Sequence, residues 1–216
     1  MRTKLLAILM CTVSTAAFAE GDASENVDWT GWFIGAHAAH LTGKTNNAQG
    51  LPNGKADNFL GGIHGGYRQQ FGNWVWGGAL TVPLIADEAR FTVPGLGFPN
   101  EVQFRGSVRG SVQLGRAIGR VMPYISAGIG ASWIRGRERI GATLSPWANA
   151  THLVTTVGAG VNIAITENLS AGFAYNHLTT SNERYNCGPT VCATIGNIGL
   201  DGDIFGATFE YKFTPN

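Results

Sequence analysis

Three groups of residues in this sequence have types and spacings that could do chemistry. His177, Thr179 and Glu183 fall close together. A base, a hydroxyl and an acid are the parts of an activated nucleophile, which needs its base in hydrogen-bond reach and a third group to orient that base. His37 and His64 form a second group, suited to a metal or proton site if neighbouring strands bring them side by side. No third ligand accompanies them, so no complete metal centre is expected. Cys187 and Cys192 are the third group. In an exported chain, an isolated pair at this spacing reads as a disulfide closing a small loop. Zinc would require two further ligands, which nothing nearby supplies.

What these residues can do depends on the elements that carry them. The chain has 216 residues, with 31 glycines, 44% hydrophobic and 13% charged residues. An ordinary soluble domain carries about 25% charged residues and about 7% Gly, so charge is halved here and Gly doubled. An intrinsically disordered chain would need more charge and fewer aromatics. Gly follows no three-residue period, which excludes collagen. A formal charge of +1 without a basic run excludes the usual kind of nucleic-acid binder.

Residues 1–19 read as a secretory signal peptide: Arg2 and Lys4, an apolar stretch from Leu5 to Ala16, then Ala17-Phe18-Ala19 before Glu20. The stretch is too short for a spanning helix, which needs about 20 residues. Cleavage removes Arg2 and Lys4 from the 15 basic residues and none of the 14 acidic ones, so the net charge turns from +1 to −1.

The mature chain alternates with a period of two. In Glu101–Leu114, Val102, Phe104, Gly106, Val108, Gly110, Val112 and Leu114 take one face; Gln103, Arg105, Ser107, Arg109, Ser111 and Gln113 take the other. This predicts a strand with one apolar and one polar face, long enough for the ~9–11 residues of a tilted membrane-spanning strand. Seven more strands are predicted at Trp29–Leu41, Asn58–Gln70, Trp74–Leu84, Met122–Arg135, Thr151–Ile165, Leu169–Leu178 and Asp203–Phe213. The connections alternate: Thr42–Asp57, Ile85–Asn100, Gly136–Ala150 and Thr179–Gly202 are long, whereas Phe71–Asn73, Gly115–Val121 and Thr166–Asn168 are short. In an up-and-down barrel, that places all long loops at one end. Outer-membrane barrels have this asymmetry, with short periplasmic turns and long extracellular loops. A soluble eight-stranded barrel would also give eight strands. The aromatic residues near strand ends (Trp29, Trp32, Tyr67, Phe71, Trp74, Trp76, Tyr124, Tyr211 and Phe213) favour the membrane form, as interfacial girdles. The expected fold is all-β, an eight-stranded antiparallel transmembrane barrel over residues 29–213. A short periplasmic tail at 20–28 precedes it and residues 214–216 extend it.

With the strands in place, the sequence resembles small outer-membrane β-barrel proteins of the porin or outer-membrane β-barrel domain type, and more distantly the transmembrane domain of outer-membrane protein A. The resemblance rests on Trp29-Thr-Gly-Trp-Phe-Ile-Gly-Ala36, Gly61-Gly-Ile-His-Gly-Gly-Tyr67, Arg105-Gly-Ser-Val-Arg-Gly110, Met122-Pro-Tyr124, Val157–Leu169 and Phe209-Glu-Tyr-Lys-Phe213. It implies that His37, His64, Arg68, Arg105, Arg109, Glu210 and Lys212 face the lumen, with Ile34, Ile63, Leu80, Val108, Ile129, Phe173 and Phe209 facing lipid. Relatives often carry interior acids where this chain has Ala79, Asn162 and Ala174. Glu210 therefore stands alone against four strand cations, unless water hydrates the rest.

The resemblance implies an outer-membrane location and much less about activity, because one barrel serves structural, adhesive, enzymatic and pore roles; the expected role is envelope structure and surface display, without catalysis or a cofactor. A small, anion-preferring diffusion pore is the alternative. A lipid A-modifying enzyme is the more remote one, because lipid A deacylases of this shape use His-x-Ser where this chain has His177-x-Thr179. The expected partners are outer-membrane lipids and lipopolysaccharide, the barrel-assembly machinery through the C-terminal strand, and a surface ligand at the long loops; no nucleic acid is expected. Arg135-Gly-Arg-Glu-Arg139, opening the third long loop, has the chemistry to meet lipopolysaccharide phosphates.

Overall fold

The computed structural model describes residues 27–47, 55–86, 101–137, 139–140, 143–185 and 197–213. The expected signal peptide, most of the expected periplasmic tail, the Cys187–Cys192 pair and the expected C-terminal extension lie outside the described residues. Eight long strands form the barrel: β1 (Gly31–Asn47), β2 (Lys55–Phe71), β3 (Trp74–Ala86), β4 (Glu101–Arg116), β5 (Val121–Arg137), β8 (Ala148–Ala164), β9 (Leu169–Thr180) and β11 (Asn197–Lys212). Each pairs antiparallel with its neighbour, and β1 pairs with β11 to close the sheet. Closure leaves no backbone edge, as a sheet in lipid requires. Three short strands decorate the long-loop end: β6 (Arg139–Ile140) pairs with β7 (Thr143–Leu144), and β10 (Glu183–Arg184) extends the sheet beside β11.

The exterior explains the composition. Ile34, Leu80, Val112, Ile125, Ile129, Val157 and Phe173 are each at least half exposed, a continuous apolar belt far larger than a soluble monomer leaves in water. Trp32, Phe71, Trp74, Trp76, Tyr211 and Phe213 ring its short-turn edge, where amphipathic rings sit at the lipid–water boundary. Two proposed girdle members do not belong there. Trp29 precedes β1 and is buried in the short-turn mouth, and Tyr124 points into the lumen, where its ring covers the Cβ-free face of Gly160.

The tight turns are chemically specified. Gly72 and Gly119 have φ of +57° and +58°, the left-handed region that hairpin turns require and Gly adopts freely. At the third turn, the Thr166 hydroxyl accepts from the backbone N–H of Asn168 and of Leu169.

At the other end the strands run past their predicted limits, to Asn47 in β1 and from Lys55 in β2, so the first long connection is confined to residues 48–54. A 17-residue strand at about 3.3 Å per residue and a tilt near 45° rises roughly 40 Å along the barrel axis, against an apolar band of about 25 Å. The excess projects from the long-loop side.

One strand breaks its alternation. Between Phe104 and Gly106 the β4–β5 register shifts, so two residues of β4 oppose Trp133. This bulge corrects the expected orientation of the strand beyond it. Phe104 turns inward against Ala56, and Arg105 is exposed rather than directed into the lumen. An extra residue in one strand reverses the facing of everything past it.

Candidate functional site

Inside the barrel the side chains sort into layers. Nearest the short turns lies an apolar cap. Val27 and Trp29, just before β1, pack with Val75, Ala117, Met122 and Ala164. The Trp29 backbone N–H donates to Gln70 Oε1 at 2.9 Å. The described end of the acidic tail thus closes the mouth rather than trailing from it. Lys212 turns in at the same rim, where its ammonium donates to the Asp28 carbonyl.

Above the cap sits a charged layer centred on Glu210 of β11. Arg68 of β2 grips it bidentately, Nη1 to Oε2 at 2.7 Å and Nη2 to Oε1 at 3.0 Å. His64 Nε2 donates to Oε1 at 2.9 Å, and Ser170 and Asn162 donate to Oε2 at 3.4 and 3.5 Å. The Arg68 guanidinium lies 4.0 Å over the Phe33 ring. All five polar residues are buried. The charge-assisted bonds converge on both carboxylate oxygens, while Arg68 Nε and Asn162 Oδ1 are buried without a partner.

His64 and Glu210 belong to strands separated by β1 and meet across Gly35, which is in register with both. A Cβ on Gly35 would lie 2.8 Å from the His64 ring and 2.9 Å from Glu210 Cγ. The missing side chain is what lets these two groups touch.

A polar cavity of about 120 Å³ follows, lined by His37, Arg109, Gln113, Tyr124, Ser126 and Asn176 among others. Ala79 and Ala174 also line it, and their small side chains leave space there. Three buried nitrogens facing this region, His37 Nδ1, Arg109 Nε and Gln113 Nε2, have no hydrogen-bond partner. The His37 and His64 rings stand 5.8 Å apart, and among the described residues no three His, Cys, Asp or Glu side chains are grouped to hold a metal.

Near the long loops, His152 is almost fully buried. Its Nδ1 donates to the Ser181 carbonyl at 2.9 Å, and its Nε2 accepts from the Tyr185 hydroxyl at 2.8 Å. Burial pushes the Tyr185 phenol well above its ordinary value. Outside the barrel, His177 pairs with Asp203 at 3.0 Å, and the Tyr175 hydroxyl donates to the same carboxylate oxygen at 2.8 Å. Glu183, the acid proposed beside His177, instead accepts from Ser181 at 2.8 Å. A similar exposed pair joins His40 to Asp57 at 3.0 Å. Arg135 and Arg137 lie 4.5 and 4.4 Å over the Trp147 ring, which fixes the basic segment against the third loop.

His64, Arg68 and Glu210 are therefore brought together, His37 and Arg109 line the next layer, Lys212 guards the rim and Arg105 faces out. Sequence reasoning missed Phe33, Ser170, Trp29 and His152 as interior partners. Phe33, Ser170 and His152 lie on the inner side of their strands and Trp29 just before β1, but only the register between strands distant in sequence reveals what each meets.

The family model described as "Outer membrane protein beta-barrel domain" matches residues 4–213. The chain is 28% identical over 181 residues to the 31 kDa outer-membrane immunogenic protein of Brucella melitensis biotype 1, covering 73% of this chain and 75% of that protein. The protein of the same name from Brucella suis biovar 1 matches equally. Among solved structures, Neisserial surface protein A is 20% identical with a TM-score of 0.49, over 85% of this chain and 98% of that one. Outer membrane protein OprG of Pseudomonas aeruginosa is 14% identical with a TM-score of 0.45, over 87% and 98%.

Proposed function

The chain belongs to the outer membrane protein β-barrel domain family, and from that premise we propose that it is a closed barrel whose work is done at its long-loop end, in envelope structure and surface display. Its location is the outer membrane. The observation that carries the reading is the closure of the lumen. The Glu210–Arg68–His64 layer crosses the interior, and the Trp29 cap lies beneath it. An eight-stranded barrel is just wide enough to be filled by side chains, and here two successive layers fill it. This favours display over a diffusion pore. The extension of the strands beyond the apolar belt supports the same reading, because it holds the loops clear of the lipid.

In this reading the protein performs no turnover. His177 has an orienting acid in Asp203 and serves with it as a polar pair at the membrane boundary. The outer partners are lipopolysaccharide, met by the Arg135–Arg137 segment, and a ligand at the loops. The assembly machinery engages the C-terminal strand.

An epitope inserted within residues 48–54 tests the display role. Antibody should label it on intact cells, while the same epitope at Gly72–Asn73 should be labelled only after the outer membrane is permeabilised. Loop tips accept such insertions. Labelling at Gly72–Asn73 on intact cells, or none at residues 48–54, would overturn the reading.

A further inference from the structure

Above the charged layer the interior changes character. Leu41, Leu60, Phe104, Ile134, Leu178 and Ile204 line a second cavity of about 120 Å³ on the long-loop side. The bulge in β4 contributes to this, because it turns Phe104 inward where strict alternation would have placed Arg105. A lumen lined this way is unusual for a membrane barrel, whose interior is ordinarily polar.

Arg109 is shared by this apolar cavity and the polar one below it, as is Thr81. Its register neighbours are Thr81 on β3 and Gly130 on β5, and neither carries a charge. The Nε is buried without a partner, and no described residue forms an ion pair or a hydrogen bond with this guanidinium. Glu210, the acid of the charged layer, is already gripped by Arg68 and His64. A half-buried cation with no partner among the described residues is costly, and apolar walls on one side strengthen its pull on any anion that reaches it.

We propose that this junction is a binding site for small monocarboxylates with a short apolar chain. The carboxylate would sit on the Arg109 guanidinium, which presents a fork of donors matched to two oxygens. Thr81 and Ser107, which line the same cavity, supply hydroxyls beside the head group. The chain would lie among Leu60, Phe104, Ile134 and Leu178. A dry cavity of about 150 Å³ takes benzene, so this one holds a chain of about five carbons. The inference goes beyond the display role and stands whether or not the barrel conducts.

The test is calorimetric titration of the refolded protein in lipid nanodiscs with sodium pentanoate, sodium acetate, sodium chloride and pentylammonium chloride. Pentanoate should bind saturably, at least about tenfold more tightly than acetate or chloride, and pentylammonium should not bind. Arg109→Met, which removes the charge and keeps most of the volume, should weaken pentanoate about tenfold or more, the scale of a lost charge-assisted contact. Because Arg109 has no partner to abandon among the described residues, this variant should keep the heat-modifiable gel migration of the wild type. No pentanoate binding by the wild type would overturn the proposal. So would equal affinity for acetate or chloride, or undiminished pentanoate binding by Arg109→Met.

Discussion

Glu210→Gln should destabilise the barrel by about 3 kcal/mol in urea unfolding from lipid vesicles. Breaking a buried ion pair by removing one partner costs about 3–5 kcal/mol, since the other charge is left uncompensated. Here that charge is Arg68, buried beside the carboxylate and held by it at both Nη atoms. Glutamine is isosteric and keeps one acceptor oxygen, which places the loss at the lower end of the range. The double variant Glu210→Gln/Arg68→Met should recover most of it, because replacing the whole pair with apolar volume is often neutral. The Phe33 ring already beneath Arg68 gives the Met side chain an apolar surface to pack against. A single variant as stable as the wild type would show that the charged layer does not hold these strands together.

Trp29→Ala is the second large effect. Trp29 is 3% exposed and packs on Val75, Met122 and Ala164, and truncating a buried Trp to Ala typically costs about 3–5 kcal/mol. Roughly 3 kcal/mol is expected, because the indole Nε1 is buried without a partner and its removal relieves part of the loss. Trp29→Phe should accordingly stay within about 1 kcal/mol of the wild type. The segment before β1 should become cleavable by added protease in Trp29→Ala but not in Trp29→Phe. Equal stability of the Ala variant and the wild type would mean that the cap does not seal the mouth.

The barrel was legible because lipid imposes a simple rule. Wherever a strand crosses the apolar belt, one face must be greasy, and Val108, Val112 and Leu114 in β4 obey it. Beyond the belt that pressure ends while the backbone ladder continues, as in Thr42–Asn47 paired with β11, so alternation in sequence stops short of the strand ends on the long-loop side. Arg105 was misplaced for a related reason. A bulge is a backbone event, and nothing in Phe104-Arg105-Gly106 announces it except the glycine.

The interior was legible only residue by residue. Arg68, His64 and Glu210 each read as lumen groups by resemblance. Their assembly depends on β11 closing onto β1 and on the space at Gly35, neither of which is local to any of the three. Trp29 and Tyr124 show the opposite failing. An aromatic residue near a strand end looks like a girdle member in sequence, whichever way its side chain turns. Asp203 replaced Glu183 as the partner of His177 because cross-strand register, not sequence proximity, sets which acid is near.

Planar-bilayer conductance of the refolded chain lacking residues 1–19 tests the closure of the lumen by two layers of side chains most directly. With or without reductant, inserted protein should give no steady, resolvable current at neutral pH and moderate salt. A reproducible steady conductance step from wild-type protein would contradict the account and make the barrel a pore.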